Sequence, residues 1–225
     1  MLAAFQKVTL LDYPDKVAAM AFTQGCNMAC PYCHNFGLIE VKASDKTVDD
    51  GFFEYLDKRK GMLQAVVITG GEPTIHAGLA DFIRKVKGYD LLVKLDTNGT
   101  NPKILKTLIK EGLIDYIAMD IKNSPTKYRE TSGMSSDLMG NIKRSIELIK
   151  TSGLEYEFRT TIMKEFHTAQ DIAEITRMIA PCDRYFLQNI RNNEENPNFF
   201  TPFSTEEMEK LLDQAKMLIP GAKAR

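Results

Sequence analysis

The chain has 225 residues, 44% hydrophobic and 26% charged, the make-up of a globular protein with one sizeable core. Its formal net charge of −1 excludes a general pull towards nucleic acid or an anionic membrane, and no apolar run approaches the roughly 18 residues of a membrane span. The N-terminus lacks the charged-then-apolar order of a signal peptide, so a cytoplasmic protein with a single domain over residues 1–225 is expected, with neither nucleic acid nor membrane as partner.

Residues 1–16 read as an N-terminal extension. From Val17 onwards, short β-rich runs alternate with helical patterns. Val17–Thr23 is an apolar strand closed by Gly25, and it opens into a loop over residues 24–38. Thr47-Val48-Asp49-Asp50 resembles a capping box, with Phe52, Phe53, Tyr55 and Leu56 at helical spacing behind it. Ala65–Thr69 is a second strand, ending at Gly70-Gly71 before a helix with Leu79, Phe82, Ile83 and Val86. Leu91–Thr97 is the third; Asn101-Pro102 then caps a helix carrying Ile104, Leu105, Leu108 and Ile109. Asp115–Ile121 is the fourth strand, followed by a polar loop longer than the usual connection, which marks residues 123–136 as a binding segment. Glu155–Ile162 and Arg184–Ile190 are the fifth and sixth, each followed by a capped helix, from Thr168 and from Ser204 respectively.

Six strand–helix units in series imply parallel strands joined by right-handed crossovers. A doubly wound sheet and an open barrel of six strands both satisfy this pattern, and either gathers its ligands beyond the carboxyl ends of the strands. The polar motifs fall at those ends. Cys26, Cys30 and Cys33 follow the first strand in the spacing C-x3-C-x2-C; Gly70-Gly71-Glu72-Pro73 follows the second, Asp96-Thr97-Asn98-Gly99 the third, and Asp120-Ile121-Lys122 the fourth. Three soft thiolates suit an iron–sulfur cluster or zinc, and a cluster held by three cysteines keeps one metal atom open to a ligand that is not protein. Glu72 could meet an ammonium, and Lys122 with Arg159 a carboxylate, which together suit an amino-acid-like moiety. Cys182 precedes the sixth strand, at the opposite end, where it reads as a small buried hydrophobe. His76 and His167 read as capping or surface residues.

The cysteine spacing with Tyr32 before the last cysteine, and Gly70-Gly71-Glu72-Pro73, resemble the radical S-adenosylmethionine (SAM) superfamily. Cys33-His34-Asn35, Asp96-Thr97-Asn98-Gly99 and Met119-Asp120-Ile121-Lys122 are similar to activases of glycyl radical enzymes. Phe5 to Pro14 resembles the single-domain activating proteins of anaerobic ribonucleoside-triphosphate reductase. The resemblance implies an α/β fold, an open partial (β/α)6 barrel with helices outside. It implies a [4Fe–4S] cluster on Cys26, Cys30 and Cys33, cleavage of S-adenosylmethionine to a 5′-deoxyadenosyl radical, and abstraction of hydrogen from a glycine of the partner enzyme. Gly70, Gly71 and Glu72 would lie at the methionine amino group, Tyr32 near the adenine, and Lys122 with Arg159 at the carboxylate and ribose. Asn98 joins the cofactor-binding set, and Gln188 takes the place of a histidine against the cofactor. Asp96, Thr97, Met119 and Asp120 match a monovalent-cation site; Asp120 and Lys122 could support catalysis, though no protein acid or base is implied. A ferredoxin or flavodoxin would donate the electron.

Two rival readings accompany this one. A radical SAM enzyme acting on a small molecule, such as a 7-carboxy-7-deazaguanine synthase, shares the same motifs. A zinc-stabilised interaction module, with His34 completing the ligand set, is opposed by the strain of adjacent ligands at Cys33 and His34.

Overall fold

The computed structural model describes residues 1–40, 48–134, 136–192 and 196–225. Its single sheet has eight strands in strict chain order: β1 (Leu2–Thr9), β2 (Ala18–Thr23), β3 (Ala65–Gly70), β4 (Leu92–Thr97), β5 (Tyr116–Asp120), β6 (Glu155–Ile162), β7 (Tyr185–Asn189) and β8 (Lys223–Ala224). The strands β2 to β8 run parallel. A doubly wound sheet reverses its strand order at a switch point. Here no reversal occurs, so successive right-handed crossovers stack every helix on the same face and the sheet is an open, partial barrel.

The helices are α1 (Asp49–Lys58), α2 (Leu79–Lys87), α3 (Pro102–Lys110), the short α4 (Tyr128–Ser132), α5 (Met139–Lys150), α6 (Ala169–Ile179) and α7 (Thr205–Lys216). Their starts follow local chemistry. Thr168 with Asp171, and Ser204 with Glu207, form reciprocal capping boxes for α6 and α7, and Asn101 caps α3 ahead of Pro102. The cap expected at Thr47 lies outside the described residues. Asp49 instead binds the start of the chain, accepting from the Met1 ammonium at 3.2 Å and from the Leu2 amide at 2.7 Å.

Residues 1–16, the expected extension, contain a strand: Leu2–Thr9 forms the antiparallel edge of the sheet against β2. In the expected binding segment, Asn123, Ser124, Tyr128, Thr131 and Ser132 are fully buried while Thr126, Arg129, Glu130 and Gly133 are exposed, and α4 packs behind the cysteine loop. A loop rich in polar residues is buried there because its side chains bond one another, as Asn123 does with Thr131 and the Phe166 carbonyl.

The larger apolar cluster lies between sheet and helices. The concave face is graded along the strands. Tyr13, Ala18, Met20, Ala65, Val67, Tyr116 and Ala118 close its amino-terminal half, with Tyr13 and Tyr116 ring centroids 5.7 Å apart. Asp96, Asp120 and Arg159 lie further along, at the carboxyl ends. Functional chemistry is thereby confined to one rim.

Candidate functional site

A cavity of about 210 Å³ opens at that rim, lined by Cys26, Cys30, Tyr32, Cys33, Gly70, Gly71, Glu72, Asp96, Thr97, Asn98, Asp120, Lys122 and Arg159 among others. Motifs spread over more than 130 positions therefore meet in one place. Two expected members do not join them. Met119 is fully buried, and Gln188 on β7 is absent from the lining; its register partner Thr161 on β6 lines the cavity instead.

The cysteine loop is held from several directions by bonds that do not use sulfur. The Gly25 amide donates to the Leu38 carbonyl at 2.7 Å, and the Gly25 carbonyl accepts from the Glu72 amide at 2.9 Å. The Ala29 amide donates to the Ser132 carbonyl at 3.1 Å. Asn35 Nδ2 reaches the Gly70 carbonyl at 3.1 Å, and His76 Nε2 lies 2.7 Å from the Gln24 carbonyl. Asn196, 5% exposed, donates to the carbonyls of Pro31 at 2.8 Å and Cys33 at 3.1 Å. Sequence reasoning missed Asn196, since nothing local marks a polar residue in a late loop as a brace for one over 160 positions earlier.

The three thiols all line the cavity. A cubane takes one thiolate on each of three irons and leaves the fourth open, whereas a closed tetrahedral zinc site would need the adjacent Cys33 and His34 as ligands of one ion. The donor set thus fits a cluster better than zinc. Burial pushes all three thiols up, Cys26 to about 11, so they hold protons until a metal replaces them. Tyr32 sits against the cluster loop with its hydroxyl buried and no hydrogen-bond partner among the described residues. An orphaned hydroxyl in the lining of a cavity is a polar contact waiting for a ligand.

Gly70 and Gly71 serve the backbone before any ligand. A Cβ on Gly71 would overlap the Gly25 carbonyl, and one on Gly70, whose φ is +112°, would overlap the Thr23 backbone. The glycine pair lets the end of β3 lie directly on the entrance to the cysteine loop. Glu72 is likewise committed. Its Oε1 accepts from the Thr74 amide at 3.1 Å, the Thr74 hydroxyl at 2.5 Å and the Thr97 hydroxyl at 2.7 Å, and its Oε2 accepts from the Asn98 amide at 2.7 Å. What remains for an ammonium is the second lone pair of Oε2.

The rim charges form a chain. Asp96 accepts from Lys94 at 2.8 Å and from Arg159 at 3.3 Å; Asp120 accepts from Arg159 Nε at 2.8 Å and from Lys122 at 3.1 Å. Burial alone would raise both carboxyls, but Arg159 with Lys94 holds Asp96 below the usual range, and Arg159 with Lys122 holds Asp120 far below it. Burial would likewise lower Lys122, yet Asp120 holds it up. Residues of the expected monovalent-cation site already have partners within the chain. Both carboxylates are already shared between protein cations, Thr97 donates to Glu72, and Met119 packs on Gly99. Glu157, 3.8 Å from Arg159 and 3.3 Å from Arg225, extends the chain, so Lys94, Lys122, Arg159 and Arg225 face Asp96, Asp120 and Glu157 and leave one positive charge in surplus, which suits an anionic ligand group.

His167 is neither a cap nor a surface residue. It is 2% exposed, its Nδ1 accepts from the Met163 amide at 3.4 Å, and its Nε2 donates to the Lys122 carbonyl at 2.9 Å. It fixes the backbone from which Lys122 projects. Cys182 is buried at the opposite end of the barrel, as expected. No helix among the described residues is long and apolar enough to cross a membrane.

Comparison with known proteins agrees with this geometry. The radical SAM superfamily profile matches residues 20–179. The chain is 34% identical, over 84% of its own length and 79% of the other, to a protein of Methanocaldococcus jannaschii provisionally named a glycyl-radical enzyme activating enzyme. It is 24% identical to a provisionally named GTP 3′,8-cyclase of Pyrococcus abyssi, of which it spans 60%. The fold superposes on SuiB of Streptococcus suis bound to S-adenosylmethionine with a TM-score of 0.71 at 14% identity, covering 90% of this chain and 48% of that one. The chain belongs to the radical SAM superfamily, and its cofactors are a [4Fe–4S] cluster and S-adenosylmethionine.

Proposed function

We propose that the protein activates a glycyl radical enzyme, anaerobic ribonucleoside-triphosphate reductase, drawing its electron from a ferredoxin or flavodoxin. When bound, the cluster and S-adenosylmethionine supply one-electron cleavage of the sulfonium and hence a hydrogen-abstracting radical. Cys26, Cys30 and Cys33 hold the cluster. The Gly70 and Gly71 backbone with Glu72 Oε2 receives the ammonium of the methionine moiety, and the surplus charge of Lys122 and Arg159 receives its carboxylate. Tyr32 directs its unpaired hydroxyl to the cofactor, and Asn98 lies beside it. The chain's own part is to bind, orient and keep water from the reacting atoms.

The activase reading is carried by the relative with 34% identity, matched over 79% of its length. The test is to reconstitute the protein anaerobically, add dithionite and S-adenosylmethionine, and measure 5′-deoxyadenosine. Adding a candidate reductase should then yield a glycyl signal in electron spin resonance. Cofactor cleavage with no protein radical overturns the activase step. The second reading, a radical SAM enzyme turning over a small molecule, is favoured by the likeness to a GTP 3′,8-cyclase. Conversion of GTP by the reconstituted protein, with no reductase present, would establish it.

A further inference from the structure

The outer surface of α3 and α5 carries positive charge that the rim site does not use. Lys103 and Lys106 on α3 and Lys143 and Arg144 on α5 line a groove of about 580 Å³. An adjoining groove on the other side of α5 shares Lys143 and adds Arg177 from α6. None of these five cations makes an ion pair among the described residues. The one acid common to both grooves, Glu147, lies 3.5 Å from Lys150. Exposed helices elsewhere in the chain pair their charges along the helix, as Lys210 does with Glu206 at 2.6 Å. A chain of net charge −1 thus concentrates uncompensated positive charge on one face.

The same two helices reach the cysteine loop. Pro102, in the groove wall, follows Thr100 by two residues. From α5, Asn141 Nδ2 donates to the Thr100 carbonyl at 3.0 Å. The Thr100 hydroxyl donates to Asn98 Oδ1 at 2.7 Å and accepts from Asn27 Nδ2 at 2.8 Å; Asn98 Nδ2 donates to Asn27 Oδ1 at 2.9 Å and lies 4.0 Å from Cys26 Sγ. This closed ring of three side chains lies between α5 and a cysteine sulfur, joined to Asn141 through the Thr100 backbone carbonyl.

We propose that the face formed by α3 and α5 docks an acidic one-electron carrier protein and delivers its electron towards Cys26. This inference rests on the cluster assignment above. A positive face meeting an acidic carrier accelerates encounter and sets orientation more than it adds affinity, as a transient electron-transfer contact requires. In the step, the carrier loses one electron and is oxidised by one unit, while the cluster gains that electron and is reduced by one unit. No atom or proton changes hands.

The test uses the reconstituted holoprotein with the exposed triple variant Lys103→Glu/Lys106→Glu/Arg144→Glu. Cluster reduction by a photoreduced plant-type ferredoxin is followed by visible absorbance, without S-adenosylmethionine, at low and at high ionic strength. The variant should slow ferredoxin-driven reduction by about tenfold or more at low salt. The gap should close at high salt, where exposed charges are screened. Replacing the same three residues with Gln should give an intermediate rate, and dithionite-driven reduction should not change. An unchanged ferredoxin-driven rate overturns the proposal, as does an equal fall in the dithionite-driven rate. Loss of single-stranded RNA binding, with ferredoxin-driven reduction intact, would assign the face to nucleic acid instead. Failure of S-adenosylmethionine cleavage with dithionite would count against the proposed function alone, because cluster reduction is read without that cofactor.

Discussion

The backbone amide of Asn98 donates to Glu72 Oε2 at 2.7 Å, so the loop after β4 is tied to the loop after β3 by a carboxylate that never reaches solvent. With Thr74 and Thr97 on the other oxygen, Glu72 joins two rim loops before it meets any ligand. Glu72→Gln places an amide where at least one donor now finds an oxygen. We expect a loss of about 2–3 kcal/mol in stability by urea unfolding, together with weaker S-adenosylmethionine binding by calorimetry.

Arg159 is the bridge between Asp96 and Asp120. Arg159→Met strips both buried carboxylates of a shared cation. The expected cost is about 2–3 kcal/mol, because each carboxylate keeps its lysine but loses a charge-assisted bond to the guanidinium. Arg159→Lys, which keeps the charge but loses the planar fork, should recover part of the stability and little of the cofactor affinity. Equal S-adenosylmethionine affinity in wild type and Arg159→Lys would remove Arg159 from the ligand contacts.

At Gly71 a single methyl group separates two outcomes. Because a Cβ there overlaps the Gly25 carbonyl, Gly71→Ala must push the cysteine loop away from β3. Iron content after anaerobic reconstitution should fall well below three-quarters of the wild-type value, while far-ultraviolet circular dichroism keeps the helix and strand signal. Full iron loading in Gly71→Ala would show that the loop tolerates displacement.

Asp171 supplies a pH prediction with a definite sign. Burial would raise its carboxyl, but Lys127 at 2.7 Å, Thr168 and Ser124 bring it down to about 2. A carboxyl depressed in the folded state stabilises above its unfolded value of about 4 and loses that contribution as pH falls through about 2. At neutral pH, Asp171→Asn should cost about 1–2 kcal/mol in urea unfolding, since Lys127 is partly exposed and the pair is screened. The difference between wild type and variant should vanish on acidification towards pH 2.

The six strands from β2 to β7 were legible in sequence because each is a short apolar or β-branched run closed by a glycine or polar turn, and their ends differ from expectation by one residue or none. The cysteines, Gly70, Gly71, Glu72, Asp96, Asp120, Lys122 and Arg159 were legible for the same reason: motifs at the carboxyl ends of parallel strands meet on one rim. What stayed hidden depends on distant partners. β1 is a strand only because the edge of β2 is there to pair with it, and its sequence lacks strict alternation. Lys94 looks like a solvated charge in a strand until Asp96 and the Tyr116 ring enclose it. That Arg159 bridges Asp96 and Asp120 was equally hidden, since it lies 63 and 39 positions from them in the chain. Gly70 and Gly71 were found, but their first duty is to a backbone some 46 positions earlier, which only coordinates reveal.

Bonds from Glu72, Leu38, Ser132, Asn35, His76 and Asn196 shape the cysteine loop without using sulfur, beside the weaker ones in which Cys26 Sγ accepts from the Met28 amide and Cys30 Sγ donates to the Ser132 carbonyl. Most of the bracing that shapes the loop is thus independent of metal, unlike that of a zinc finger, whose fold depends on its ion. Oxidative loss of the cluster should accordingly leave a folded apoprotein that can be recharged, so that damage by air is a repairable event and not the end of the molecule.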